Sequence, residues 1–273
     1  MMTVLILGGS GHLGAALQSR AGVDVRLVST YSSAPVSDAI PFTFEGEEPL
    51  PRTDVVIGSF PLAKRLEGRT EAEVKWTVRR YVERCKCPRI VQLSTDAVFS
   101  GQQGLRSETD PTDPLTPYGI SQARVDTALL ELAPKSLVVR TSFIFGWAGG
   151  RFDKRLAPIV SGQKLPKEQK WASNVYRAPT EVNFLAEAIW RAVHHDLSGT
   201  LHVAGPRTSI FEFFRRALEP LGNHELPAFY EEKDDHVARD TSLSSVTMER
   251  ELGMKSGEVW KWHRLHSRGQ LAA

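Results

Sequence analysis

Cysteine is nearly missing from this chain of 273 residues; only Cys85 and Cys87 are present. Their spacing is too tight for an ordinary bridge, and no second Cys or His pair stands at zinc-finger spacing. A disulfide framework and a metal site are therefore not expected, and the pair reads as two plain thiols at a helix-to-strand turn before Pro88. No apolar run approaches the roughly 20 residues of a membrane-spanning helix. The run Val4 to Leu7 is too short for a signal-peptide core and lacks a basic flank. A cytoplasmic setting without membrane contact is expected. Neither sign of charge dominates: 34 Lys and Arg against 32 Asp and Glu leave a formal +2, which gives no bias toward nucleic acid or acidic membranes. Internal repeats, low-complexity tracts and clear linkers are also lacking.

The chain does have the length for one large α/β domain, or a domain with a smaller lobe. Short apolar runs alternate with amphipathic stretches, which argues for a doubly wound, mostly parallel sheet. Strands are predicted at Val4 to Leu7, Val23 to Val28, Asp54 to Gly58, Arg89 to Leu93, Ser136 to Arg140 and Thr200 to Val203. Helices are predicted at Leu13 to Arg20, around Val74, Val78 and Val82, at Tyr118 to Leu132 (stopped by Pro134), at Glu181 to His195 and at Ile210 to Leu218. After Gly150 the texture changes, and Pro158, Pro166 and Pro179 break the chain into shorter pieces. Residues 1–150 therefore read as a Rossmann region and 151–273 as mainly a smaller substrate-binding lobe, interleaved with the first as one unit.

The run LILGGSGHLGAAL from Leu5 places glycines at 8, 11 and 14, directly after a strand and opening a helix. Gly8 allows the tight turn. Gly11 lets backbone approach a pyrophosphate, and Gly14 lets helix and strand pack closely. The helix N-terminus offers free N–H groups and a positive dipole end. This context points to a nicotinamide dinucleotide, held by Gly8, Ser10, Gly11, His12, Leu13 and Gly14, with Ser59 and Phe60 after the next inner strand. His12 reads as a neutral side chain lining the pyrophosphate site. At the end of the second strand, Leu27-Val28-Ser29-Thr30-Tyr31 holds no Asp or Glu for a ribose hydroxyl and no adjacent Arg for a 2′-phosphate. Ser29 and Thr30 suit NAD or NADP; without the acid, the choice leans to NADP.

Two later segments carry chemistry: VQLSTDAVF (Val91 to Phe99) at a strand's end and TPYGISQ (Thr116 to Gln122) at a helix's start. With the glycine turn, they resemble the extended short-chain dehydrogenase/reductase superfamily, and within it the dTDP-4-dehydrorhamnose reductase family. The resemblance continues in VVRTSFIFG (Val138 to Gly146), NVYRAPT (Asn174 to Thr180), GTLHVAG (Gly199 to Gly205) and ARDTSLSS (Ala238 to Ser245), in the expected order over almost the whole chain. It implies that Tyr118 donates a proton to a sugar ketone while hydride arrives from the nicotinamide, that Thr95 hydrogen-bonds the reacting oxygen, and that Asp96, Phe143 and Arg177 lie on the sugar side. A tyrosine suits proton donation, being neutral near pH 7 with an ordinary pKa of about 10.

The chain departs from that family at two positions. Gln122 stands where the family has lysine, four residues after Tyr118 and on the same helix face. Its amide can replace the lysine's hydrogen bond to the nicotinamide ribose but not the charge that stabilises a tyrosinate; an opposite charge at close range shifts a pKa by ~1–3 units. Ala97 stands where the family has tyrosine. Among nearby groups, Arg124 points away from Tyr118 and Asp126 has the wrong sign.

Three functions remain open on these residues: a reductase of a 4-keto nucleotide sugar or related carbonyl; a non-catalytic dinucleotide-binding regulatory protein, a role with precedent in the regulatory subunit of methionine adenosyltransferase; and a nucleotide-sugar epimerase or dehydratase. A homodimer or a regulatory partner protein fits the first two. His194-His195-Asp196 ends a helix, where cationic side chains are ordinary. Trp260 and Trp262, interleaved with the bases Lys261, His263 and Arg264, read as a tail packed on the body rather than a nucleic-acid site.

Overall fold

Among the described residues, seven short strands pair into one parallel sheet. The structure, a computed structural model, describes residues 1–32, 38–46, 50–161, 170–221 and 228–267, so the predicted break at Pro166 lies outside the described residues. The strands are β1 (Met2–Leu7), β2 (Val25–Tyr31), β3 (Ala39–Pro41), β4 (Val55–Gly58), β5 (Ile90–Thr95), β6 (Leu137–Thr141) and β7 (Gly199–His202). They lie in the order β7-β6-β5-β4-β1-β2-β3, and every neighbouring pair is parallel. The order reverses between β1 and β4, which opens a crevice at the carboxyl ends of these strands.

Both faces of the sheet's centre are covered, so β1 and β4 are apolar runs rather than alternating ones. Val4 and Ile6 of β1 face one core with α1 (His12–Ser19) and α4 (Val182–His194). Leu5 and Leu7 face the other, with α2 (Glu71–Cys85) and α3 (Pro117–Leu132). Local chemistry starts these helices where they are needed. The Thr70 hydroxyl accepts the Glu73 N–H (3.3 Å), and the Glu73 carboxylate accepts the Thr70 N–H (2.8 Å), a reciprocal capping box. Thr116 accepts the Gly119 N–H (3.0 Å), and Pro117, which has no N–H to leave unpaired, opens α3.

The chain after β6 builds a second lobe around aromatic rings. Phe145 meets Phe213 and Trp260 at 5.2 Å and His263 at 5.1 Å, and Trp171 stacks on Phe214 at 4.0 Å. This lobe holds α5 (Ile210–Leu218), α6 (Val246–Leu252) and α7 (Val259–Ser267). Residues 182–202 return to the sheet as α4 and β7, so the chain crosses between the layers more than once.

Several expectations shift. β2 begins at Val25 rather than Val23, whose side chain is fully exposed. β3 has three residues at the sheet edge, too few to show a period. The predicted tail is helical: α7 buries Trp260, and Trp262 lies under the Arg20 guanidinium at 4.5 Å. Arg89 precedes β5 and is buried. It donates to the Val193 and Ala192 carbonyls (2.9 and 3.0 Å) and pairs with Asp196, satisfying the last turn of α4. The Cys85 and Cys87 thiols are pushed up by burial. Among the described residues no cluster of His, Cys, Asp and Glu could hold a metal, and no helix is long and apolar enough to cross a membrane.

Glu181 caps α4, accepting the Phe184 N–H (2.8 Å) and the Asn183 amide (2.7 Å) while fully buried. Burial pushes its carboxyl up to about 7. Ionisation is therefore harder in the folded chain than in the unfolded one, where a glutamate has a pKa of about 4.3. The stability it confers is complete below that value and is lost as pH rises through its folded pKa. Glu181→Gln is expected to flatten the decline in stability over this window by on the order of 3 kcal/mol, read from urea unfolding at successive pH values; an unchanged decline contradicts the assignment.

Candidate functional site

The site begins where β1 runs into its glycine turn. Gly8 adopts φ +88°, open only to glycine at little cost. Its N–H donates to the Thr30 hydroxyl (3.0 Å), the Ser59 hydroxyl donates to the Leu7 carbonyl (2.9 Å), and the Gln18 amide donates to the Gly9 carbonyl (2.8 Å). The turn is thus tied to β2, to the end of β4 and to α1. A Cβ on Gly14 would lie 2.3 Å from the Gly8 carbonyl oxygen, so only glycine allows α1 this close to the strand. α1 starts from Gly11 with no side-chain cap and no acid in its first turn, leaving its free N–H groups and positive dipole end available to an anion. Beside them, the His12 imidazole is buried against the Gly146 and Ala148 backbone, and burial lowers its pKa, keeping it neutral. An uncapped helix start with no acid in its first turn, behind a turn that only glycine allows, fits a dinucleotide's phosphates.

A cavity of about 480 Å³ opens from this turn. His12, Leu13 and Ser59 line it together with Thr95 and Tyr118 and with Arg151, Asp153, Lys154 and Arg155. Tyr118 sits in the first turn of α3. Its phenol is pushed above the ordinary tyrosine value by burial and by the negative charges of Asp96, Asp126 and Glu67, against a hydrogen bond with the Thr95 hydroxyl. It is a neutral acid.

Other residues named from sequence lie elsewhere. Gln122 is 3% exposed and donates its amide to Asp126 Oδ1 (2.9 Å). Asp126 is buried with it, accepts the Ser94 hydroxyl (2.8 Å) and pairs with Arg140 (3.2 Å). Burial raises this carboxyl, while Arg140, Gln122 and Ser94 oppose the rise. Gln122 is therefore not among the cavity's lining residues. Asp96 accepts from the Thr95, Ser142 and Thr241 hydroxyls (3.1, 2.7 and 2.8 Å) and joins three segments rather than standing free. Ser29 and Thr30 are buried under the glycine turn. Phe60 packs with Phe42, Phe44 and Tyr81. Phe143 lies under the Arg155 guanidinium at 4.1 Å. Arg177 donates to the Tyr176 carbonyl (2.6 Å), and Asp96 and Asp240 are the carboxylates that act on it. Arg124 donates to the Arg69 carbonyl (2.7 Å), away from the cavity.

Sequence reasoning missed the lining segment from Arg151 to Arg155. Its signal was present in the run RFDKR, three cations in five residues immediately after Gly149-Gly150, but nothing local ties that run to a turn about 140 residues earlier.

Against known proteins, residues 69–262 match the RmlD substrate binding domain family. The chain is 29% identical over 238 residues to the spore coat polysaccharide biosynthesis protein SpsK of Bacillus subtilis, covering 81% of this chain and 80% of that one. It is 32% identical over 156 residues to the dTDP-4-dehydrorhamnose reductase of Salmonella typhimurium, covering 51% of this chain and half (50%) of that enzyme. The dTDP-4-dehydrorhamnose reductase from Bacillus anthracis, solved in complex with NADP, shares the fold with a TM-score of 0.72 at 20% identity over 97% of each chain.

The Asp126–Arg140 pair is sensitive to single substitution because both side chains are out of water. Asp126→Ala leaves the Arg140 charge buried and uncompensated, and is expected to destabilise the fold by about 3–5 kcal/mol. Pairing it with Arg140→Met should recover part of that loss in the same denaturant titration. Strict additivity of the two single effects would mean that the ions do not interact.

Proposed function

The chain belongs to the RmlD substrate binding domain family, and from that membership we propose that it is an NAD(P)-dependent reductase of a 4-keto nucleotide sugar or a related carbonyl compound. The observation that carries the proposal is that the open N-terminus of α1, the Thr95 hydroxyl and the Tyr118 phenol border one cavity. A bound nicotinamide dinucleotide supplies the hydride. Gly8 and Gly14 set the turn and the seat of α1, and Gly11 lets the backbone approach its pyrophosphate, with Ser10, His12 and Leu13 in the same turn and Ser59 at the neighbouring strand end. No acid ends β2 to repel a 2′-phosphate, which favours NADP over NAD. Tyr118 gives its phenolic proton to the carbonyl oxygen, and Thr95 hydrogen-bonds that oxygen and orients it. Lys154 and Arg155, which also line the cavity, suit the negative charge of a sugar nucleotide.

One observation favours a second reading. The amide of Gln122 is turned into the Asp126–Arg140 cluster, so no cation of α3 steadies a tyrosinate. A chain that binds the dinucleotide and a partner protein without turnover fits that arrangement as well.

Absorbance at the nicotinamide band, with NADPH and dTDP-4-dehydrorhamnose, separates the two. Wild-type turnover is expected, and Tyr118→Phe should lower it by roughly 10²–10⁴-fold while cofactor binding is unchanged. A wild-type protein that binds cofactor and stays silent with carbonyl sugars supports the binding role instead.

The same assay tests the charge at position 122. The raised phenol pKa places any basic limb of kcat above the ordinary tyrosine range. Gln122→Lys adds a cation, so it should move that limb to lower pH by ~1–3 units and raise kcat about tenfold or more. An unmoved limb would mean that position 122 does not act on the phenol.

A further inference from the structure

The second lobe reaches back over the glycine turn through one short hairpin. Trp147–Ala148 pairs antiparallel with Arg151–Phe152, and the two residues between them, Gly149 and Gly150, have φ +59° and +76°. Two left-handed residues are what a tight two-residue hairpin requires. The turn leans on α1 so closely that a Cβ on Gly149 would lie 2.8 Å from the Ala15 Cβ. The Asn183 amide of α4 donates to the Trp147 carbonyl (2.9 Å) and anchors the other end. This seating brings the Arg151 guanidinium to the Ser10 carbonyl at 3.2 Å.

We propose that Arg151 clamps the pyrophosphate of the bound dinucleotide from the second lobe. The inference rests on reading the cavity as the cofactor site. Ser10 lies inside the turn whose N–H groups face an anion, so a guanidinium hydrogen-bonded there stands at the phosphates. A single donor is used on a backbone carbonyl, and among the described residues no carboxylate lies within ion-pair range of Arg151. The nearest acid in sequence, Asp153, is engaged by the Gly146 and Arg155 N–H groups (3.0 and 2.9 Å). The remaining donors form a planar fork matched to two phosphate oxygens. Arg151 is also exposed, so a phosphate can reach it from solvent. A sugar nucleotide carries a diphosphate too, but the contact with Ser10 places Arg151 at the cofactor's. Dinucleotide binding then ties the two lobes together.

The experiment is calorimetric titration of the full chain with NADPH, with NADH and, without cofactor, with dTDP. Arg151→Met removes a charge-assisted contact and is expected to raise the Kd of NADPH and of NADH by the same factor, roughly 10- to 100-fold, leaving dTDP unchanged. Arg151→Lys should fall between. Gly149→Val, which pushes the hairpin off Ala15 with the arginine intact, should weaken dinucleotide binding as well. Wild-type affinity in Arg151→Met overturns the clamp. So does a loss confined to NADPH, which points to the 2′-phosphate, or a loss confined to dTDP, which points to the substrate. A wild-type chain that binds no dinucleotide overturns the cofactor site itself, and the clamp with it; dinucleotide binding that Arg151→Met leaves untouched overturns the clamp alone.

Discussion

Much of this molecule depends on one close approach, that of α1 to the end of β1. Gly14 stands where any Cβ would meet the Gly8 carbonyl oxygen at 2.3 Å and the Gly9 Cα at 2.6 Å. With no side chain there, the helix settles against the turn and points its unsatisfied N–H groups into the crevice where the strand order reverses. The rest of that side is built on α1 once it is placed. The Leu17 carbonyl accepts the Trp190 indole N–H (2.9 Å), which seats α4, and Ala15 supports the Gly149 turn. Helix, covering helix and hairpin are positioned by the same absence of a methyl group.

Electrostatics decides the character of the cavity at Tyr118. Tyr118 has carboxylates around it: Asp96, Asp126 and Glu67 all favour the neutral phenol. Asp126 is neutralised from behind by Arg140, and it holds Gln122 in place of the cation that the resemblance leads one to expect. A glutamine is at home here because its amide donates to the carboxylate without competing with Arg140 for it. Cationic charge enters instead from the segment holding Arg151, Lys154 and Arg155, which lines the same cavity. Asp96 adds a mechanical link, since its two oxygens bind hydroxyls from β5, from the chain after β6 and from Thr241.

What the sequence by itself determined is what short-range rules carry. Continuous apolar runs of strand length, the capping box at Thr70, the Thr116-Pro117 start of α3 and the spacing of glycines 8, 11 and 14 all act within a few residues, and each lies in the structure where its local chemistry puts it. Tyr118 and Thr95 could be named because each stands in a short motif at an element's end. β3 and α7 escaped notice because three edge residues have no period and a short helix near the terminus shows its apolar face only against the body it covers. The direction of Gln122 was likewise not legible. Helical spacing puts it on Tyr118's face, but its amide turns to Asp126, whose charge is fixed by Arg140 on a different strand. Only the tertiary structure decided that orientation, the burial that raises Glu181, and the delivery of Arg151 to Ser10. Each depends on groups far apart in the chain meeting in a low-dielectric interior, where partner, distance and desolvation set the outcome and no local pattern records them.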